Sequence, residues 1–389
     1  MQVERIKAWN PSKVTAADWN RLSRGVPFRT YQWCESWWRH YGRTDARGGR
    51  NRQLFTLCVF DRCGRLAGVA PWYVERTKSR QRVVRFLGSG EVCSDYQTVL
   101  CLRETEDEVA TAVAEWLCHD HPPNADDRWD TLQFSCVSAA DETLGRLLSH
   151  LAERGNLVHR RPAESCWRVQ LPATWNDYVE MLSKSHRKQV RRVQRRMFES
   201  GRAVHHELRT PDDLARGLDT LIDLHQRRRA SLSEPGCFSS KRFTAFHREV
   251  AGRMLDLDAL RLSWVELDGQ PVAAEYHLAG GGVVYAYQSG LDPAVLDEEP
   301  GRLAAVATLR SAIETGQTAV DFLRGDEPYK AHWRAQPVPT LDVRVVRDKL
   351  SARLTHGAWL AGAGFKDWLK AGLAQPPAPV DTPKAAGSG

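Results

Sequence analysis

Apolar residues in this chain follow two rhythms, and the switches between them predict its elements. In the first part, short alternating or continuous apolar runs predict strands over 54–61, 66–74, 83–87, 96–102 and 131–134, the second interrupted by Pro71. Cys63 and Gly64 supply the turn of a hairpin between the first two, and Gly88-Ser89-Gly90 supplies a turn between the next two. Helical spacing appears over 28–41, where it is rich in aromatics, and again over 109–118 and 142–154. This part holds enough apolar surface to close a core of its own.

From residue 166 the pattern begins again. A strand is predicted over 166–171, then one helical region over 175–200, with Leu182, Val190, Val193 and Met197 at roughly helical spacing and Gly201 at its end. Helices follow over 211–230 and 240–255, strands over 260–267, 272–278 and 283–288, a helix over 302–314, and strands over 319–323 and 340–346. The two parts share a similar element order, as a duplication would leave. A last helix is predicted over 350–373, and the Pro/Ala/Gly-rich stretch 375–389 reads as a disordered tail.

A length of 389 residues with 42% hydrophobic content fits two folded domains. The expected division is 1–160, 161–347, a terminal helix over 348–374 and the tail. The fold class is α/β (α+β), with mixed, mostly antiparallel sheets flanked by helices. A net charge of +7 favours anionic partners without choosing among phosphorylated cofactors, nucleic acid and membrane surfaces. Nine cysteines with no Cys-x-x-Cys pair resemble neither a disulfide framework nor a zinc site, so a reducing cytoplasm and no metal are expected. Residues 1–20 have no apolar signal core, and no uncharged apolar run of about 18 residues is present to span a bilayer.

Candidate chemistry concentrates between Asp321 and Trp333, which read Asp-Phe-Leu-Arg-Gly-Asp-Glu-Pro-Tyr-Lys-Ala-His-Trp. The Gly-Asp-Glu-Pro turn exposes its neighbours; Tyr329 offers a proton and Lys330 a fixed positive charge. Glu275 and His277 lie two apart on one strand and project to one face, as a general-base pair requires. Pro300 and Gly301 open a helix whose uncovered N–H groups suit a phosphate, although the same residues also serve as plain helix-start punctuation. His225 sits beside a run of arginines, where it either meets an acceptor or is simply exposed.

Seven Lys or Arg fall between Lys184 and Arg196, a pattern shared by solvated faces and anion-binding ones. Nucleic-acid binding is disfavoured because no aromatics are interleaved there for base stacking. The 350–373 segment has the amphipathic spacing of a helix that docks on the protein itself or touches an anionic membrane.

Several blocks in order carry a family resemblance. They are Pro300-Gly301-Arg302-Leu303, Asp321 through Lys330, Leu182 through Lys188, Leu224-His225-Gln226-Arg227-Arg228, and Gly269 through Ala274. Together with Val69-Ala70-Pro71, Phe86-Leu87-Gly88 and Ser94-Asp95-Tyr96, they resemble the GNAT-superfamily branch of CelD/BioF2-like acetyltransferases, relatives of the Fem peptidyltransferases. The resemblance covers nearly everything up to about residue 346. It implies tandem GNAT-like domains, the first degenerate, and acyl transfer in the second from acetyl-CoA or another acyl-CoA to an amine or hydroxyl of a cell-envelope or exopolysaccharide precursor.

By the same resemblance, Ser289 and Gly290 end the strand that binds the acyl carbonyl, and Gly301, Arg302 and Leu303 offer amides to the pyrophosphate. Lys330 would stabilise the oxyanion, Tyr329 would protonate the leaving thiolate, and Asp321 or Glu275 would assist deprotonation of the acceptor. Asp297, Glu298 and Glu299 depart from the family's glycine-rich loop and would repel a pyrophosphate. That departure keeps two alternatives open, a Fem-like aminoacyltransferase using aminoacyl-tRNA and a non-catalytic scaffold.

Overall fold

The computed structural model describes residues 1–9, 13–42, 52–77, 79–119, 126–208, 210–348 and 357. The helix expected over 350–373 and the tail over 375–389 lie outside the described residues, Gly357 aside.

Three sheets organise the chain. A seven-stranded sheet runs in the order Ala203–Glu207, Leu260–Leu267, Gln270–Gly280, Val283–Leu291, Ala319–Arg324, Cys166–Gln170, Gln336–Val338. A six-stranded sheet contains Arg52–Leu54, Trp72–Arg76, Arg82–Phe86, Thr131–Ser138, Thr340–Val346 and Leu157–Pro162, and a four-stranded sheet contains Gln2–Ile6, Thr56–Phe60, Leu66–Ala70 and Leu100–Cys101. Pro71 explains why the single strand expected over 66–74 is two strands in two sheets. A residue with no N–H and a fixed φ makes a natural break, and its carbonyl accepts from Leu87 N–H at 2.9 Å.

Each half repeats one unit of strand, helix and parallel strand. In the first half Val83 and Val84 pair in parallel with Thr131 and Leu132, across the helix Glu106–Cys118. In the second, Val283, Val284 and Tyr285 pair in parallel with Ala319, Val320 and Asp321, across the helix Pro300–Glu314.

The next strand of each unit is exchanged between halves. Thr340–Val346, assigned by sequence order to the second domain, inserts into the first half's sheet between Thr131–Ser138 and Leu157–Pro162. Its alternating Val343 and Val345 are buried there with Leu132 and Phe134. Cys166–Gln170 pairs with Ala319–Arg324 in the second half. A linear boundary at residue 161 therefore misses how the halves interlock.

The helical region expected over 175–200 is broken. Leu182 leaves the helix Trp175–Met181 in an extended conformation, and the Ser183 hydroxyl caps the next helix, Lys184–Val193, through His186 N–H at 3.4 Å.

A third core joins the two halves. Phe28 and Trp33 from the first half pack with Phe243, Phe246, Tyr276 and Tyr285 from the second. His247 lies within this aromatic shell, its ring 4.3 Å from Phe243, 4.8 Å from Phe246 and 5.2 Å from Tyr287. Burial, assisted by His40, pushes its pKa down from 6.5 to about 3.

The folded state thus keeps His247 neutral while the unfolded chain protonates it below about pH 6.5. Stability from this site is complete above that pH and is lost as pH falls toward 3, by at most about 1.4 kcal/mol per pH unit. Urea denaturation from pH 7 to pH 4 should show His247→Phe flattening the acid limb relative to wild type. An unchanged slope would contradict the buried neutral imidazole.

Candidate functional site

The parallel pair in the second half lasts only three residues on each strand, and the two strands then part. Val283–Leu291 stays with Gln270–Gly280 out to its end, whereas Ala319–Arg324 turns toward Cys166–Gln170. The register between the first two shifts so that His277 faces Ala286 and Tyr276 faces Gln288, leaving Tyr287 as the extra residue of a β-bulge. A bulge removes backbone groups from the ladder and turns them toward neighbouring space. The V between the strands opens into a cleft of about 710 Å³, and the helix Pro300–Glu314 contributes to its lining.

Glu275 and His277 both line this cleft, with His277 Nε2 3.0 Å from Glu275 Oε2. The expected pairing on one strand face is therefore present. Tyr329 lines the cleft near Phe322 and is half exposed. Burial of its hydroxyl, with Glu327 and Glu275 nearby, pushes its pKa up to about 12, so it holds its proton through the physiological range. That state suits a proton donor.

Lys330 is buried, and its donors are already engaged. Nζ donates to the carbonyls of Leu323 at 3.2 Å, Arg324 at 3.0 Å and Gly325 at 2.9 Å, and pairs with Glu327 at 2.9 Å. Its charge sits at the cleft floor, but its main work is to hold the chain turn. Asp321, expected to help deprotonate an acceptor, is fully buried and does not line the cleft. Oδ2 accepts from the Tyr96 hydroxyl at 2.6 Å and from Arg168 Nε at 2.8 Å, while Oδ1 accepts from Leu323 N–H at 2.8 Å. This carboxylate is a tie between halves. The structure removes it from the candidate acid–base groups.

The two clamps meet at Leu323, whose φ of 55° is left-handed and costly for a branched side chain. Asp321 holds its N–H and Lys330 its carbonyl.

The donor-binding residues divide similarly. Ser289, Gly301 and Arg302 line the cleft. Gly290 has a packing reason: a Cβ there would lie 2.5 Å from His225 N and 2.9 Å from Leu221 O, so glycine lets the helix Pro211–Ser231 approach the strand. Leu303 is buried in the core, and its N–H and that of Arg302 both donate to the Glu299 carbonyl, at 3.1 and 2.8 Å. Since Pro300 has no N–H, only Gly301 remains of the expected amide cradle. The Glu299 carboxylate also pairs with Arg302, and with Arg192 at 3.2 Å. Two of the three acids flagged as repulsive are thus matched by arginines, Glu298 by Arg202 at 3.3 Å. Part of the basic run is spent likewise, because Arg187 and Arg191 both pair with Glu180.

The sequence reading missed His186, which lines the cleft. Its Nδ1 lies 2.8 Å from the His332 carbonyl and its ring packs on Trp333 at 4.5 Å, which leaves Nε2 as the acceptor nitrogen; burial pushes its pKa down. Recognising Ser183 as a helix cap would have placed His186 in a first turn, separate from the preceding helix. Cys93 and Asp95 were also missed, because they enter from the first half. His225 is buried, with Nδ1 2.8 Å from the Ser289 carbonyl, and so braces the cleft strand from behind. Among the described residues no group of three or more His, Cys, Asp or Glu is placed to hold a metal ion, and no helix is long and apolar enough to cross a membrane.

A cleft between parting parallel strands, over a helix that joins them, defines a GNAT-fold domain. Residues 184–331 match the family model described as an acetyltransferase (GNAT) domain. Among solved structures the whole chain is similar to FemX, with 11% identity, a TM-score of 0.59 and coverage of 87% of this chain and 96% of that one. It is also similar to a conserved protein of unknown function from Bacteroides thetaiotaomicron (11% identity, TM-score 0.55, 89% of this chain and 100% of that one). L-PGS from Bacillus licheniformis gives 12% identity and a TM-score of 0.50 over 89% of this chain and 94% of that one. Comparison with curated proteins gives no match. The fold is tandem GNAT-like, two mixed sheets and a smaller antiparallel one with their helices.

The assignments separate in stability measurements. Lys330→Met strands three carbonyls and should cost roughly 2–4 kcal/mol in urea denaturation, whereas Tyr329→Phe should stay within about 0.5 kcal/mol. Equal costs would contradict a structural lysine beside an accessible tyrosine.

Proposed function

We propose that the second half is an acyltransferase that moves an acyl group, acetyl in the simplest case, from acyl-CoA to an amine or hydroxyl of a cell-envelope or exopolysaccharide precursor. The observation that carries this reading is the bulged strand Val283–Leu291 facing Tyr329 across a cleft that also holds the Glu275–His277 pair.

In this reading the acyl carbonyl lies against the bulged strand, whose freed backbone groups face the oxygen on which negative charge develops. Glu275, oriented by His277, takes a proton from the acceptor as its nitrogen or oxygen bonds to the carbonyl carbon. The carbon–sulfur bond breaks and Tyr329 protonates the departing thiolate. Lys330 holds the floor at Leu323, and Gly301 with Arg302 meets the donor's phosphates. The resemblance to CelD/BioF2-like acetyltransferases supports the choice of a saccharide acceptor.

One observation favours a second donor. With Arg302 and Arg192 both held by Glu299, and one free amide at the helix start, the pyrophosphate site is lean. An aminoacyl ester carried on tRNA places less demand on that site and would use the basic face after Lys184.

Donor binding tests both. Calorimetry with acetyl-CoA should give a stoichiometric complex, and Glu299→Gln, which frees two arginines, should tighten it about tenfold. Retention of aminoacyl-tRNA in a filter assay, with no acetyl-CoA binding by either protein, would replace the first donor by the second. Binding of neither would reject acyl transfer.

A further inference from the structure

The first half has a cleft of its own, built by the same parting of parallel strands. Beyond Val84 and Leu132 the strands Arg82–Phe86 and Thr131–Ser138 separate around a cavity of about 360 Å³, within the range of small-ligand sites. Phe86 and Phe134, packed in the core beneath it, close its base, and Tyr73, Ser89, Ser94, Ser135, Gln97 and Gln133 surround it.

Its polar groups form a built site. Glu75 is buried and shared by two arginines, Arg52 at 3.3 Å and Arg85 at 2.9 Å. Arg324, from the second half, also lines the cavity and pairs with Asp95. Among the described residues three guanidinium groups meet two carboxylates at this cavity, an excess of positive charge that suits an anion. Gln97 is 3% exposed; its Nε2 donates to the Phe28 carbonyl at 2.6 Å, while its Oε1 is buried with no partner. Cys93 and Arg324 belong to the walls of both clefts, so the two cavities adjoin.

We propose that this first-half cleft anchors the acceptor by a sugar carrying a phosphate or carboxylate. Hydroxyl and amide side chains suit the sugar, and the excess of guanidinium over carboxylate charge among the described residues suits its anionic group. The rest of the acceptor then extends past Cys93 and Arg324 to Tyr329 and Glu275. The acceptor role rests on the acyltransfer reading; the binding site does not.

Calorimetry on the full chain with glucose 6-phosphate, glucuronic acid and glucose tests the site and tells phosphate from carboxylate. At least one anionic sugar should bind about tenfold or more tighter than glucose. Arg85→Gln should weaken that binding about tenfold. Ser135→Trp, a change at an exposed position that fills the cavity and leaves the core alone, should abolish it. Tyr329→Phe should leave it unchanged. No binding of either anionic sugar, or equal binding in wild type and Ser135→Trp, overturns the proposal. Sugar binding that behaves as described in a protein that binds no acyl donor would reject the transferase reading and keep the site.

Discussion

The buried Asp321 carboxylate is the point on which both halves and the cleft depend. Oδ2 takes the Tyr96 hydroxyl from a first-half loop and Arg168 from the exchanged strand Cys166–Gln170, and Oδ1 takes the Leu323 N–H. A carboxylate without solvent is tolerable only when its lone pairs are this fully used. Because its partners come from three separate stretches of chain, forming it requires that the strand exchange and the packing between halves be complete.

That tie also shapes the site. Ala319–Arg324 leaves its parallel partner to follow Cys166–Gln170, and the divergence opens the cleft. At the end of the strand Leu323 takes a left-handed conformation that the Asp321 and Lys330 contacts hold from either side. Contacts on both sides of a strained residue keep the cleft floor in one conformation. Asp321 and Lys330 thus hold the backbone at the cleft, and the titratable groups that line it include Tyr329, Glu275, His277 and His186.

Most strands and helices were legible from periodicity, because apolar alternation and helical spacing report which face is buried. The pairing of Glu275 with His277 was legible for the same reason, since two residues two apart on a strand share a face. Asp321 and Lys330 were misread because a dense polar stretch looks alike whether its charges face a substrate or backbone carbonyls; the partners that decide, Tyr96 and Arg168, lie more than 150 residues away. Strand exchange was hidden too, for Val343 and Val345 show that a strand is half buried and not which sheet buries it. At the donor end the acidic run was visible, but the pairing of Glu299 with Arg192 and of Glu298 with Arg202 depends on contacts about 100 residues apart.

The proposed acyl transfer puts the donor in the V between Val283–Leu291 and Ala319–Arg324, above a floor fixed at Leu323. Hydrogen–deuterium exchange of the full chain, with and without a saturating donor, tests it most directly. The account predicts slowed exchange in the segments 286–291, 300–305 and 322–333, with the first-half segments 85–90 and 133–138 unchanged by donor alone. Protection confined to the first-half segments, or spread over the basic helix without change at 286–291, would contradict it.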